Sequence, residues 1–259
     1  MKQPFVRLLF LGLITYVPTL FSQQSHSQET ETNYARLDQW PRDLEVDFAL
    51  SALPPHLRSD ATVYVLNPAK GYEVAKKGSN GFVCFVSRTE WEWADSRDDH
   101  AAPISYDAAG TAAAFQVYLD VAKWRASGKY TPAQVKKMVQ DGFRKERYKA
   151  PSRAGVSYML APMMRTYPAP EPSEASKQVV SMHMPHYMFY APNVKNDEIG
   201  GKPFSEHPFI FNPGNGPHGY IIVLAGETER NRIIEDQKGL LKRLADFKPY
   251  FKVEMQEHQ

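Results

Sequence analysis

Two helical stretches separate two blocks of strand-like sequence, and this segregation limits the architecture more than any other feature of the chain. The first stretch, residues 111–126, carries Ala113, Phe115, Val117, Leu119, Val121 and Trp124. The second opens with Thr131-Pro-Ala-Gln134. A capping threonine, a proline at the first helical position and a glutamine three residues after the cap form a capping-box start. Val135, Met138, Val139 and Phe143 then fall on one helical face. Before this pair, residues 62–66, 72–75 and 82–86 are short apolar runs split by Asn/Pro/Gly turn chemistry, which predicts antiparallel hairpins. After it come strand-like runs at 156–160, 179–191, 209–211 and 220–224. A short helix is expected after Pro41, with Asp43 and Glu45 in its first turn, and a longer one over 227–246. Blocks of strands and helices, rather than strict alternation, predict an α+β fold. The expectation is one globular domain over residues 41–259, an antiparallel sheet or sheets with helices packed on one side.

The N-terminus sets the expected compartment. Lys2 and Arg7 precede an apolar stretch ending near Phe21, and polar residues follow Ser22. A short basic start, an apolar run and a small residue at the exit read as a signal peptide over residues 1–22. The run is shorter than the ~20 residues of a spanning helix, and Pro18 interrupts it. Residues 23–40 are expected to be a flexible leader. No cysteine lies near the cut to carry a lipid. The chain is therefore expected to be exported, periplasmic or extracellular, with no membrane span in its mature form.

Charge excludes one class of partner. The chain has 31 Lys+Arg and 29 Asp+Glu, and removing Lys2 and Arg7 leaves the two in balance. Nucleic-acid binding needs clustered excess cations to displace counterions, so no nucleic-acid partner is expected. Cys84, the single cysteine, sits in Phe82-Val-Cys-Phe-Val86 and is expected to be a buried small hydrophobe.

The motifs are weak. Gly214-Asn-Gly-Pro-His-Gly219 matches a dinucleotide-binding pattern, but a strand rather than a helix is expected to follow, so no helix N-terminus meets a phosphate. No G-x-S-x-G elbow occurs. Asp98-Asp99-His100 reads as a solvated acidic turn. Trp91-Glu-Trp93 puts two indoles on one side if extended, as part of a core or sheet rim, or as a ligand platform. The histidines are the better lead. Pro185 drives His183-Met-Pro-His186 toward a threefold extended helix, which sets both imidazoles on one side, and His218 lies in a loop that can approach them. Two close ligands and one distant ligand match the assembly of many zinc-type sites. In the strand after Pro185, His186, Met188 and Tyr190 share one face and Tyr187 and Phe189 the other. Burial on both faces is the plainer expectation, an aromatic ligand groove the alternative.

The stretches Ala49-Leu-Ser-Ala-Leu-Pro-Pro-His-Leu57, Asn80-Gly-Phe-Val-Cys84, Pro185-His-Tyr-Met-Phe-Tyr-Ala-Pro192 and Gly216-Pro-His-Gly-Tyr-Ile-Ile-Val223 resemble an uncharacterised family of secreted bacterial proteins. The resemblance implies export and carries no activity or cofactor. The expected function is a small-ligand or partner-binding domain, with ligand contacts from His186, Tyr190 and His218. The alternative is a metal-dependent hydrolase holding a divalent transition metal such as zinc on His183, His186 and His218, where the metal activates water.

Overall fold

The computed structural model describes residues 37–168, 178–212 and 216–252. The expected signal peptide and residues 23–36 of the expected leader lie outside these. In chain order the elements are α1 (Arg42–Leu50), α2 (Pro55–Arg58), β1 (Thr62–Asn67), β2 (Gly71–Lys76), β3 (Val83–Ser87), β4 (Ala102–Tyr106), α3 (Ala108–Ala113), α4 (Phe115–Ser127) and α5 (Pro132–Arg144). There follow β5 (Val156–Met159), β6 (Met164–Thr166), β7 (Val180–Met182), β8 (His186–Tyr190), α6 (Asn196–Ile199), β9 (Phe209–Phe211), β10 (Tyr220–Leu224), α7 (Glu227–Asp236) and α8 (Lys238–Phe247).

The fold is α+β. Eight strands form one sheet in the order β2-β1-β3-β4-β5-β8-β10-β9, while β6 and β7 pair separately. All neighbours are antiparallel except β1 and β3. That exception corrects the expected run of hairpins. β2 turns back beside β1, but the chain then crosses to the other side of β1 and enters β3 parallel to it. Gly78 makes the crossing: Ser79 and Asn80 donate backbone N–H bonds to the Asp60 carbonyl. A Cβ on Gly78 would lie 2.1 Å from that oxygen.

Alternation along β3 defines the two faces. Cys84 and Val86 pack with Leu44 and Phe48 of α1 and Leu244 of α8. Val83 and Phe85 point the other way, to Phe115 of α4, Ile104 and Tyr106 of β4, and Met188 of β8. Helices therefore cover both faces at this end of the sheet, where one covered side was expected, and β3 is buried at every position. Burying each such side chain contributes about 1.5–3 kcal/mol. Behind α4, α5 packs through Val135 and Val139. The anticipated capping box at Thr131 and Gln134 is formed. The expected helix over 111–126 is two pieces, the first capped by Asp107 accepting from Gly110 N–H at 2.9 Å. The expected C-terminal helix is likewise divided at Gln237.

Packed chain begins before residue 41. Trp40 is 2 % exposed, stacks on Phe48, meets Phe251 edge-on, and carries the Arg88 guanidinium 4.1 Å over its ring. Cys84 is fully buried, and burial pushes its thiol up to about 12. It is the inert hydrophobe expected. Among the described residues, no helix is long and apolar enough to cross a membrane.

Replacing Gly78 by alanine is expected to cost about 1–3 kcal/mol, the typical range for forcing an extra group into packed structure. Urea unfolding of the purified variant checks this.

Candidate functional site

Beyond the cover of α4, the second sheet face opens into a cavity of about 140 Å³. Its floor is the sheet: Ile104 and Tyr106 of β4, Met159 of β5, His186 and Met188 of β8, Tyr220 and Ile222 of β10, and Phe209 and Phe211 of β9. Its opposite wall comes from Met164, Thr166 and Tyr167 in and after β6, from Met182 and Met184 at β7, and from the segment Thr89–Trp93. Five methionines therefore line one space, and methionine adapts its shape to varied apolar partners.

The wall segment is held in place by charge. Arg165 on β6 binds Asp99 at 2.7 Å, and Ala101 and Arg165 exchange backbone bonds of 2.8 and 2.9 Å. Asp98 is exposed, but Asp99 and His100 are not the solvated turn expected. Asp99 also binds Arg97, and His100 is 2 % exposed. Arg165, which binds Asp99, and Thr166, which binds His100, each lie 66 residues from their partner, which local sequence cannot reveal. Trp91 and Trp93 lie in a 3-10 turn instead of an extended strand. Trp91 packs on Phe143 of α5, whereas Trp93 stacks on Tyr167 with ring centroids 3.8 Å apart and lines the cavity.

Between those indoles and just before them lie the cavity's two acids. Glu90 Oε1 accepts from the Thr166 hydroxyl at 2.5 Å and lies 3.0 Å from His100 Nε2. Burial alone would raise the Glu90 carboxyl. The charge of His100, with the hydrogen bonds from His100 and Thr166, brings it below the usual carboxylate range instead. Glu90 keeps 28 % of its side-chain surface accessible and lines the cavity, so a ligand there reaches it. Glu92 differs. Burial, then the Glu90 charge, push it up to about 8, against the opposing pull of its own backbone N–H and of Lys136. Two carboxyls in one site thus divide into an anion and an acid that keeps its proton at neutral pH. Tyr106 and Tyr220 bond through their hydroxyls at 3.0 Å, and burial holds these and the Tyr118 hydroxyl neutral.

The expected histidine site is only partly assembled around this cavity. His186 lines it and is 4 % exposed. Its Nδ1 lies 2.8 Å from the Met184 carbonyl. A carbonyl only accepts, so Nδ1 carries the hydrogen. Burial lowers the pKa despite that bond, leaving Nε2 with a lone pair in the neutral ring. His183 has both ring nitrogens against backbone carbonyls, Pro162 at 2.6 Å and Arg230 at 3.2 Å. His218 bonds the Lys149 carbonyl at 2.9 Å and lies edge-on to Phe143. Neither His183 nor His218 lines the cavity. No three His, Cys, Asp or Glu side chains group as a metal site among the described residues.

Tyr190 shares the His186 face of β8, but its hydroxyl bonds Asp107 at 2.8 Å and Val156 O at 3.1 Å beside Gly110, so it ties α3 to the sheet. On the other face of β8, Phe189 is 44 % exposed and Tyr187 bonds Glu229 of α7. The strand is therefore not buried on both faces. As expected, the strand β10 follows the G-x-G-x-x-G match, pairing with β9. Sequence reasoning missed Glu90, Glu92, His100 and Thr166. The available signal was Glu90-Trp-Glu-Trp93, where packed indoles carry the intervening acids inward. Comparison with protein-family models, curated proteins and solved structures finds no match.

The raised Glu92 carboxyl predicts a pH dependence. Between about 4.5 and about 8 the folded protein holds a proton that the unfolded chain has released. Stability therefore falls as pH rises through this window, by at most about 1.4 kcal/mol per unit from this group. Glu45, pushed up to about 7 by burial, acts in the same direction, so the comparison is between wild type and Glu92→Gln. The variant is expected to show a shallower decline in urea-unfolding free energy from about pH 5 to about pH 8.

Proposed function

We propose that this is an exported small-ligand-binding domain, whose site is the methionine- and aromatic-lined cavity on the sheet face at His186. The observation that carries the proposal is the cavity itself, a concave, mostly apolar space with a few inward polar groups, which is the usual form of a small-molecule site. Its size favours a compact ligand, since an apolar cavity of about 150 Å³ takes up benzene. Export is supported by the signal-like residues 1–22.

The metal-dependent hydrolase has less support. His183 has no ring nitrogen clear of a carbonyl, and His218 is engaged at Lys149. His186 and Glu90 remain as single donors on the cavity wall.

Benzyl alcohol or toluene is expected to raise the melting temperature of the purified protein in a concentration-dependent way, by the linkage between ligand binding and folding. Met184→Trp, which adds an indole to the wall while keeping the backbone carbonyl that orients His186, is expected to abolish the shift. An equal shift in wild type and variant would place binding elsewhere.

A further inference from the structure

We propose that the cavity selects a small primary amine, its ammonium held by Glu90 and Glu92 and its apolar body, about the size of a benzene ring, packed on the methionine wall. This ligand class presupposes the small-ligand site proposed above.

The lining is one-sided in charge. Glu90 and Glu92 are its acids, and no lysine or arginine lines it among the described residues. An anionic ligand would face Glu90 with no lysine or arginine of the described lining to offset the repulsion. A neutral ligand without donors would leave Glu90 Oε2 unsatisfied, because Thr166 and His100 both address Oε1. An ammonium brings three donors and a charge. Charge-assisted hydrogen bonds of this kind are about twice as strong as neutral ones. Trp93 and Tyr167 line the same space, and aromatic rings attract cations through their π-systems.

His186 points to the same class independently. Its buried imidazole has Nδ1–H committed to Met184, and Nε2 has no hydrogen-bond partner among the described residues. A cavity wall that offers a carboxylate and an imidazole lone pair, with neutral tyrosine hydroxyls, is rich in acceptors. It therefore suits a donor-rich cation better than an acceptor-rich ligand.

The two acids also couple binding to protons. The groups facing Glu92 are Glu90, the Tyr118 and Tyr220 hydroxyls, its own backbone N–H, and Lys136, whose Nζ donates to the Glu92 carbonyl at 2.6 Å. Lys136 is the single cation in that set. A second cation arriving as ligand favours the ionised form of Glu92, so amine binding expels the Glu92 proton. Affinity should then rise as pH is raised toward the value at which Glu92 ionises unaided.

The test titrates wild type with benzylamine (a cation across the range used), benzyl alcohol and benzoate, by calorimetry at about pH 6 and about pH 8.5. Benzylamine is expected to bind about tenfold or more tightly than benzyl alcohol at the higher pH, the ratio that one charge-assisted bond supplies. The ratio should be smaller at the lower pH, and benzoate should not bind. In Glu92→Gln, whose folding is checked by cooperative urea unfolding, the pH-dependent gain for benzylamine is expected to be lost. Equal affinity for amine and alcohol, preference for benzoate, or an undiminished pH gain in the variant would overturn the amine assignment and leave the cavity as a ligand site. Failure of all three probes in wild type would overturn the small-ligand site as well.

Discussion

The geometry of the cavity depends on one buried guanidinium. Arg125 reaches from the last turn of α4 and is 4 % exposed. Its Nη1 donates to the Arg88 carbonyl at 2.9 Å and the Thr89 hydroxyl at 2.6 Å, and its Nη2 to the Ser96 and Arg97 carbonyls at 2.7 and 2.5 Å. Those four acceptors lie at the two ends of the segment that carries Glu90, Trp91, Glu92 and Trp93. Burying the charge is costly, and three carbonyl oxygens and a hydroxyl offset it. The consequence is a non-repetitive segment pinned to a helix at both ends, with its acids turned toward the sheet. The helix is fixed in turn, since Asp120 on α4 accepts from Arg147 at 2.7 Å and from Tyr148 at 2.8 Å.

From that clamp the two sides of the cavity follow. Asp99, just beyond the clamped residues, binds Arg165 and draws β6 toward the segment, and Thr166 then reaches Glu90. The sheet provides the other side through simple alternation: Ile104 and Tyr106, His186 and Met188, and Tyr220 and Ile222 all face the same way. At the β3 end that face is filled by Phe115 and the aromatic rings around it. Toward β8, β9 and β10 no helix of the α4 type covers it among the described residues, and the methionines of β6 and β7 lie across the gap. The cavity exists because a sheet wider than its helical cover has one face left to a thin two-stranded flap.

The α+β fold was legible in the sequence, and so were β1, β2, β3, β5, β8, β9 and β10, the Thr131 capping box and the buried role of Cys84, because each rests on residue pattern over a few neighbouring positions; β4 and β6 were not read as strands, and the run 179–191 is two strands, β7 and β8. The parallel placement of β3 was not legible. It depends on Gly78 passing beneath Asp60, a contact that no periodicity records. The histidine cluster was half legible. Pro185 and alternation placed His186 on the right face of β8, but His183 and His218 are drawn to carbonyls of Pro162, Arg230 and Lys149, which become neighbours only in the folded chain. Glu90 and Glu92 were the least legible, since an acid between two tryptophans reads as a solvated gap until Arg125 and Arg165 fix the segment.

The most direct measurement of the central claim is a methyl-labelled methionine spectrum recorded while benzyl alcohol is added. If the sheet-face cavity is the ligand site, the methyl resonances of Met159, Met164, Met182, Met184 and Met188 shift together and saturably, while that of Met138 on α5 stays in place. Shifts confined to Met138, or no saturable shift of the five cavity methyls, would contradict the assignment of this cavity as the ligand site.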